Sequence, residues 1–268
     1  MKELFDDLFS GKRVVVITGA GISTASGIPD FRSENGLYRK RNEEFYKKYP
    51  MLSYMPVEYL LSYECMICYP RAFYEFYTMN KVLSDDVKPN ICHEVLAELE
   101  KEGYISGIIT QNIDNLHQEA GSKNVIPIHG CNNFYCINCR TQYSKEHYLE
   151  KGYRCNCDEH KGIIRPGIVL YDEGYNRDDY KCCWNLIYEA DVIIAAGTSL
   201  SVSTVKNFLN SFVGWDDPDK HLYILNKQPT PYDCYSYGQR YNVDLSEAFE
   251  KIREEMNLRK ENKVLVKK

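Results

Sequence analysis

No stretch of this chain approaches the ~18 consecutive apolar residues that a membrane-spanning helix needs. The opening residues, Met-Lys-Glu-Leu-Phe-Asp-Asp, lack the apolar core of a secretory signal. A basic surplus is also missing: 33 Lys and Arg stand against 38 Asp and Glu, a net charge of -5. That balance excludes bulk nucleic acid as the main partner, because phosphate-binding surfaces are basic. The run Arg39-Lys40-Arg41 is read as solvated. Internal repeats and low-complexity tracts are absent too, so a cytoplasmic protein with no membrane partner is expected. With 44% apolar and 26% charged residues over 268 positions, the chain suits one sizeable folded domain carrying a smaller inserted module. Its 23 tyrosines are spread along the chain and are read as packing and rim residues.

Four short apolar runs have the character of buried parallel strands: Val14 to Thr18, Ile105 to Thr110, Val192 to Ala196 and Leu222 to Leu225. Each runs into a glycine or polar turn, respectively Gly19-Ala20-Gly21, Gln111-Asn112, Gly197-Thr198-Ser199 and Asn226. In open parallel sheets ligands bind outside the carboxyl ends of the strands, so these turns are expected to gather at one crevice. Helical spacing of apolar residues marks Asn90 to Lys101, Asp178 to Glu189 and residues 245–262. The fold class is α/β, a Rossmann-like parallel sheet with helices on both faces. Its domain is expected to comprise residues 1–33, 81–130 and 162–268. A helical insertion over 34–80 and a cysteine-rich module over 131–161 would form a smaller second domain.

The first strand, its glycine turn and the helix start expected after it make a phosphate site, since glycine lets backbone approach a pyrophosphate and a helix N-terminus offers free N–H groups. A hydride-transferring enzyme would next show an apolar strand ending in an acidic residue about 20 positions on. Residues 34–50 are too polar for that strand. The loop therefore holds a dinucleotide in some other manner.

Eleven cysteines in a reduced compartment point to metal binding rather than disulfides. Cys136-x-x-Cys139, 15 intervening residues and Cys155-x-Cys157 suit one tetrahedral zinc held by four thiolates. Such a site has no open position and is structural. The module is short of apolar runs, so the metal is expected to supply folding energy. Cys65-x-x-Cys68 has no second pair nearby and is read as buried free thiols. His160 is a weaker candidate ligand, and Cys131, Cys182 and Cys183 are left as non-ligands.

Beyond the second strand come Thr110-Gln111-Asn112-Ile113-Asp114-x-Leu116-His117 and then His129-Gly130. Together with Gly19-Ala20-Gly21-Ile22-Ser23, Gly27-Ile28-Pro29-Asp30-Phe31-Arg32, the four cysteines, Arg165-Pro166, Gly197-Thr198-Ser199-Leu200 and Asn226, in this order, the sequence resembles the sirtuins from residue 14 to about 245. The resemblance implies NAD as a consumed co-substrate: an acyl-lysine oxygen attacks the nicotinamide-bearing ribose carbon, nicotinamide leaves, and the acyl group ends on ADP-ribose. It implies His129 as general base, a role that a neutral imidazole near pH 7 suits. By the same carry-over Asn112 orients ribose or water, Asp114 holds the carboxamide and Gln111 bonds the ribose. Asp114 could instead be a helix cap. Ala20, Ser23 and Thr24, with Gly19 and Gly21, would position phosphates, as would Thr198 and Ser199 after Gly197. Phe31 and Arg32 would close over the ribose, Asn226 would meet the adenosine ribose, and Asp30, Ile113 and Lys227 complete the cofactor set. Val169, Tyr171 and Val202 are the expected substrate contacts.

The chain departs from the family pattern at Asp172, where glycine is usual, and at Ser203 and Thr204, near a usual proline. Both bear on the peptide groove. Family members that remove succinyl or malonyl groups carry a Tyr-x-x-Arg pair, whereas here Tyr77 is followed by Asn80 at the arginine position, with Lys81 adjacent. An apolar acyl group, acetyl first, is expected. Protein mono-ADP-ribosylation by the same NAD site is the alternative activity, and a catalytically idle NAD sensor a third reading.

Overall fold

The computed structural model describes residues 1–29, 43–79, 83–84, 86–157, 161–214, 217–234 and 238–266. The strands are β1 (Val14–Thr18), β2 (Gly107–Thr110), β3 (Val125–Pro127), β4 (Gly130–Cys136), β5 (Gln142–Tyr143), β6 (Ile164–Ile168), β7 (Val192–Ala196), β8 (His221–Leu225) and β9 (Gly238–Tyr241). The helices are α1 (Lys2–Leu8), α2 (Glu43–Lys48), α3 (Tyr63–Cys68), α4 (Pro70–Thr78), α5 (Ile91–Lys101), α6 (Leu116–Glu119), α7 (Lys145–Lys151), α8 (Arg177–Glu189), α9 (Ser203–Val213) and α10 (Leu245–Val266).

Six strands form one parallel sheet in the order β3-β2-β1-β7-β8-β9. With β4 to β6 set aside in their own three-stranded sheet, this is the order typical of dinucleotide-binding folds, whose direction reverses between β1 and β7. At that reversal Thr18 lies opposite Thr110 on one side and Ala196 on the other. The Gly19 and Gly197 turns therefore leave the sheet side by side. Among the described residues no strand falls between β1 and β2.

The pleat of β1 explains the two-faced packing. Val14 and Val16 join Leu4, Val95, Leu96, Phe249 and Ile252 on the side of α1, α5 and α10. Val15 and Ile17 point the other way, to Ile187, Val205 and Phe208 of α8 and α9. Each fully buried Val, Ile or Phe contributes roughly 1.5–3 kcal/mol. In α5 the buried set Cys92, Val95, Leu96 and Leu99 follows helical spacing, and Asn90 caps the first turn by accepting the Cys92 N–H. Asn176 does the same for Asp178 and Asp179 at the start of α8.

The insertions meet in a third cluster. Phe45, Leu60, Phe73 and Tyr77 from the helical segment pack with Phe134 and Tyr148 from the cysteine-rich one and with Ile164 of β6 just after it. Phe134 and Tyr148 stack at 4.5 Å, and the Tyr77 hydroxyl donates to Asn132. The cysteine module thus has more apolar support than its own sequence suggests, because the helical insertion supplies it. No described helix is long and apolar enough to cross a membrane.

Candidate active site

The helix expected after the glycine turn is a 3₁₀ helix, Ala20–Ser26. Its glycines answer to a close approach between two loops: a Cβ on Gly21 would stand 2.8 Å from Gly197 Cα, and one on Gly19 2.7 Å from Thr198 Cβ. The Gly21 N–H donates to the Gly197 carbonyl at 2.8 Å, locking the pair. Gly197 has φ +64, the left-handed region where glycine is favoured.

Gln111 to Asp114 follow β2 directly. Gln111 Nε2 donates to Thr198 Oγ1 at 2.8 Å, tying the β2 turn to the β7 turn. Asn112 is buried and its Nδ2 donates to the Gly19 carbonyl at 3.1 Å and to Ser23 Oγ at 3.0 Å. Ser23 in turn donates to Asp114 Oδ2 at 2.6 Å. Its hydroxyl is thus committed to the carboxylate, while the exposed Thr24 hydroxyl donates back to the Gly21 carbonyl. Asp114 also accepts the Leu116 N–H on Oδ1 at 3.0 Å, so it bonds the first N–H of α6 from the position before the N-cap, Asn115, while belonging to the polar cluster. Burial raises its pKa against the lowering effect of these hydrogen bonds. Ile113 packs against the small-domain cluster.

His129 stands just past β3, beside the Gln111 turn of the neighbouring strand. Burial alone pulls its pKa down to about 4, so the ring is neutral at pH 7. Two neighbours set its place. Gly130 has φ +73, and a Cβ there would collide with the Gly167 carbonyl. Tyr175 lays its ring 5.7 Å from the imidazole at 37°, a neighbour with no sequence motif to announce it.

The His129 carbonyl accepts the Val169 N–H at 2.8 Å, and Tyr171 exchanges backbone bonds with Leu61 and Tyr63 of the helical insertion. The expected substrate segment thus bridges the base and the small domain. Arg165, 5% exposed, holds this segment: it donates to both Glu173 oxygens and to the Ile168 carbonyl, and Glu173 accepts the Leu170 N–H. Arg165 appeared only as part of a motif, and its clamp needs Glu173 eight residues on. Glu173→Ala should destabilise the protein by about 3 kcal/mol in urea unfolding, because it strands a buried guanidinium. An unchanged midpoint would contradict the clamp.

Asp172, which replaces the usual glycine, sits exposed at φ +72. An L-residue pays about 1–2 kcal/mol there, partly offset by glycine's greater freedom in the unfolded chain. Asp172→Gly is therefore expected to stabilise by roughly 0.5–1 kcal/mol, and a lowered melting temperature would refute this. Val202 is the N-cap residue of α9, which begins at Ser203 with no side-chain cap. Ser199 is half-buried, Asn226 Nδ2 donates to the Gln228 carbonyl, and Lys227 pairs with Asp244. Asp30, Phe31, Arg32, Asn80, Lys81 and His160 lie outside the described residues.

Three histidines have low pKa values set first by burial: His93 about 4, His117 about 3 and His129 about 4. Their unfolded values lie near 6.5, so between pH ~6.5 and ~4 the unfolded chain binds more protons. Stability is complete above pH ~6.5 and falls as the pH drops through this window. Asp114, with its raised pKa, works in the opposite sense at lower pH. Urea unfolding should show about 4 kcal/mol less stability at pH 5.5 than at pH 7.5; a flat profile would be inconsistent with neutral buried imidazoles.

Away from this crevice, the sulfur atoms of Cys136, Cys139, Cys155 and Cys157 all lie within 4.8 Å of one another. Cys136 to Cys157 is 3.6 Å and Cys139 to Cys155 3.7 Å. A tetrahedron with Zn–S near 2.3 Å has edges of about 3.8 Å, so the donor set fits zinc. Hydrogen bonding to Thr141, the largest cause, lowers the Cys139 thiol to about 6, toward the thiolate a metal requires. Tyr143 OH touches Cys155 Sγ at 2.8 Å as an outer-shell partner. Cys65 is buried, but Cys68 is exposed, and no third ligand atom joins them among the described residues.

A sequence model of the Sir2 family matches residues 19–204. The chain is 39% identical over 234 residues to an NAD-dependent protein deacetylase of Staphylococcus epidermidis, covering 87% of this chain and 89% of that one, and equally so to one of Clostridium tetani. Among solved structures, a Sir2 variant with a deacetylated p53 peptide and 3'-O-acetyl ADP-ribose superimposes with TM-score 0.81 at 35% identity, covering 95% of this chain and 98% of that one. A Sir2 complex with a p53 peptide and NAD+ gives 0.79 at 34% identity, covering 96% and 99%. The fold order, the polar turns and the sulfur cluster agree with this match, and the chain belongs to the Sir2 family.

Proposed function

We propose that this protein is an NAD-dependent protein lysine deacylase that releases nicotinamide and transfers the acyl group to ADP-ribose. One arrangement carries the reading. A nucleotide loop at the sheet's switch point is joined to a buried Asn112–Ser23–Asp114 cluster and a neutral histidine. Its relatives named as NAD-dependent protein deacetylases support the same reading.

When bound, NAD supplies the electrophilic ribose carbon and nicotinamide as leaving group. The Gly19 and Gly197 turns take the phosphates, with Ala20, Thr198 and Ser199 beside them. Asp114 faces the carboxamide, and Asn112 orients the ribose end from its bonds to Gly19 and Ser23. His129 takes the proton of a ribose hydroxyl, for which a neutral Nε2 or Nδ1 is required. The acyl-lysine strand lies along Val169 to Tyr171 and Val202, next to the base. Four thiolates favour a reducing compartment, and the cytoplasm is the proposed location.

The acyl group is apolar, acetyl first. Tyr77, the residue that precedes Asn80 by three, is fully buried and spends its hydroxyl on Asn132, while Tyr74 donates to the Leu149 carbonyl. Neither is placed to greet a distal carboxylate. The protein incubated with NAD and matched acetyl-, propionyl- and succinyl-lysine peptides should yield deacylated acetyl peptide and acetyl-ADP-ribose by mass spectrometry. ADP-ribose added to protein without deacylation would favour the transferase instead, and faster desuccinylation would overturn the acyl assignment.

A further inference from the structure

Behind Asp114 lies a layer that the proposed reaction does not use. His93 of α5 and His117 of α6 are 0% and 1% exposed, and their rings meet edge to face at 4.9 Å. The surroundings decide where each proton sits. His93 occupies the third position of the α5 capping box, where its Nδ1 accepts the Asn90 backbone N–H at 3.3 Å. A neutral ring must then carry its proton on Nε2, which lies 3.4 Å from Ser23 Oγ.

Ser23 Oγ thereby receives two hydrogens, from His93 Nε2 and Asn112 Nδ2, and its own single hydrogen goes to Asp114. The chain from Asn90 through His93 and Ser23 to Asp114 reads in one direction only. His117 repeats the pattern. Thr18 donates to Thr110, so His117 Nε2 donates to Thr18 Oγ1 at 2.9 Å and leaves Nδ1 bare and unpartnered. A bare acceptor is the cheaper atom to leave without a partner, since a protonated Nδ1 would bury an unsatisfied charged donor.

We propose that His93 is a positioning residue for Asp114: its neutral, Nε2-protonated ring orients the Ser23 hydroxyl so that the carboxylate is fixed toward the nicotinamide end of the site. The capping box explains the choice of residue. Glu or Gln is usual at that position. Glu would accept the Asn90 N–H but could not donate to Ser23, and it would bury a second negative charge beside Asp114. Histidine accepts at one end and donates at the other. Of the usual capping residues, only Gln can do the same.

The proposal rests on the reading of Asp114 as an NAD contact, so its test has one arm that needs no activity. Long-range 1H–15N correlation on the wild-type protein, with His93 assigned by the signal lost in His93→Gln, should show the Nε2-H tautomer at pH 7. An Nδ1-H or protonated His93 would overturn the proposal, whether or not NAD is turned over. In the second arm, His93→Leu should raise the KM for NAD roughly tenfold, the scale of one hydrogen bond to a charged group. His93→Gln should stay within about twofold of wild type on that scale. In a Ser23→Ala background, His93→Leu should add nothing further. Equal impairment of the Gln and Leu variants, or an unchanged penalty without Ser23, would reduce His93 to a helix cap and refute the positioning role. Wild-type protein that cleaves no NAD would sink the activity reading while leaving the tautomer result standing.

Discussion

His129→Ala should bring nicotinamide release and deacylation down by about 10²–10⁴-fold, the range a general base contributes. The melting temperature should hardly move, because the ring is half-buried and makes no side-chain hydrogen bond among the described residues. The pKa of about 4 sharpens this expectation: at pH 7 the imidazole is already deprotonated, so the rate should stay level from pH 8 down to about 5.5 until stability fails. Gly130→Ala should reach a similar rate loss by another route. A Cβ there meets the Gly167 carbonyl, so β4 must move away from β6 and carry His129 with it. That variant, unlike His129→Ala, should also lose stability, by about 2 kcal/mol or more, which urea unfolding reads directly. If His129→Ala retained nicotinamide exchange near the wild-type rate, the imidazole would have no part in the chemistry.

The strands that frame this site were legible because they are buried on both faces. Val14 to Thr18 and Val192 to Ala196 are continuous apolar runs, and their bounds match β1 and β7. The two edge strands were not legible. β3 is three residues ending in proline, and β9 reads Gly-Gln-Arg-Tyr, with no apolar run to mark it. Ile105 and Ser106, expected in the second strand, fall before β2 because pairing begins at Gly107. At the site, the resemblance to the sirtuins pointed to Asn112, Asp114 and His129. Sequence alone could not show that Ser23 spends its hydroxyl on Asp114, since the two are 91 positions apart. His93 and Tyr175 likewise gain their roles only when distant segments meet, and Arg165 gains its own only when the chain folds back to bring Glu173 to it. The sequence also framed the cysteine module as nearly coreless, whereas Phe134 and Tyr148 share a core with Phe73 and Tyr77 of an insertion more than 50 residues earlier.

That shared core changes what metal removal should do. Cys136 and Cys155 belong to the same buried cluster as Tyr77 and Tyr148, so releasing zinc from the four sulfurs frees one wall of the small domain rather than a detached knuckle. Structural zinc sites carry about 10–16 kcal/mol of binding free energy in isolated fingers. The apolar cluster can offset only part of such a loss, since each of its large side chains is worth about 1.5–3 kcal/mol. Stripping the metal should therefore loosen both insertions together. Near-UV circular dichroism from their many tyrosines should collapse and a hydrophobic dye should bind, while far-UV signal from the six-stranded sheet and its helices persists. Activity should vanish with the tertiary signal, because the segment from Val169 to Tyr171 is bonded to the His129 carbonyl on one side and to Leu61 and Tyr63 on the other. Cys139→Ser should reproduce the effect without chelator. The metal has no such structural role if the apoprotein, verified metal-free by elemental analysis, keeps its near-UV spectrum and its turnover. Loss of turnover with an intact near-UV spectrum would place the metal in the chemistry, against a four-sulfur shell that leaves no open position.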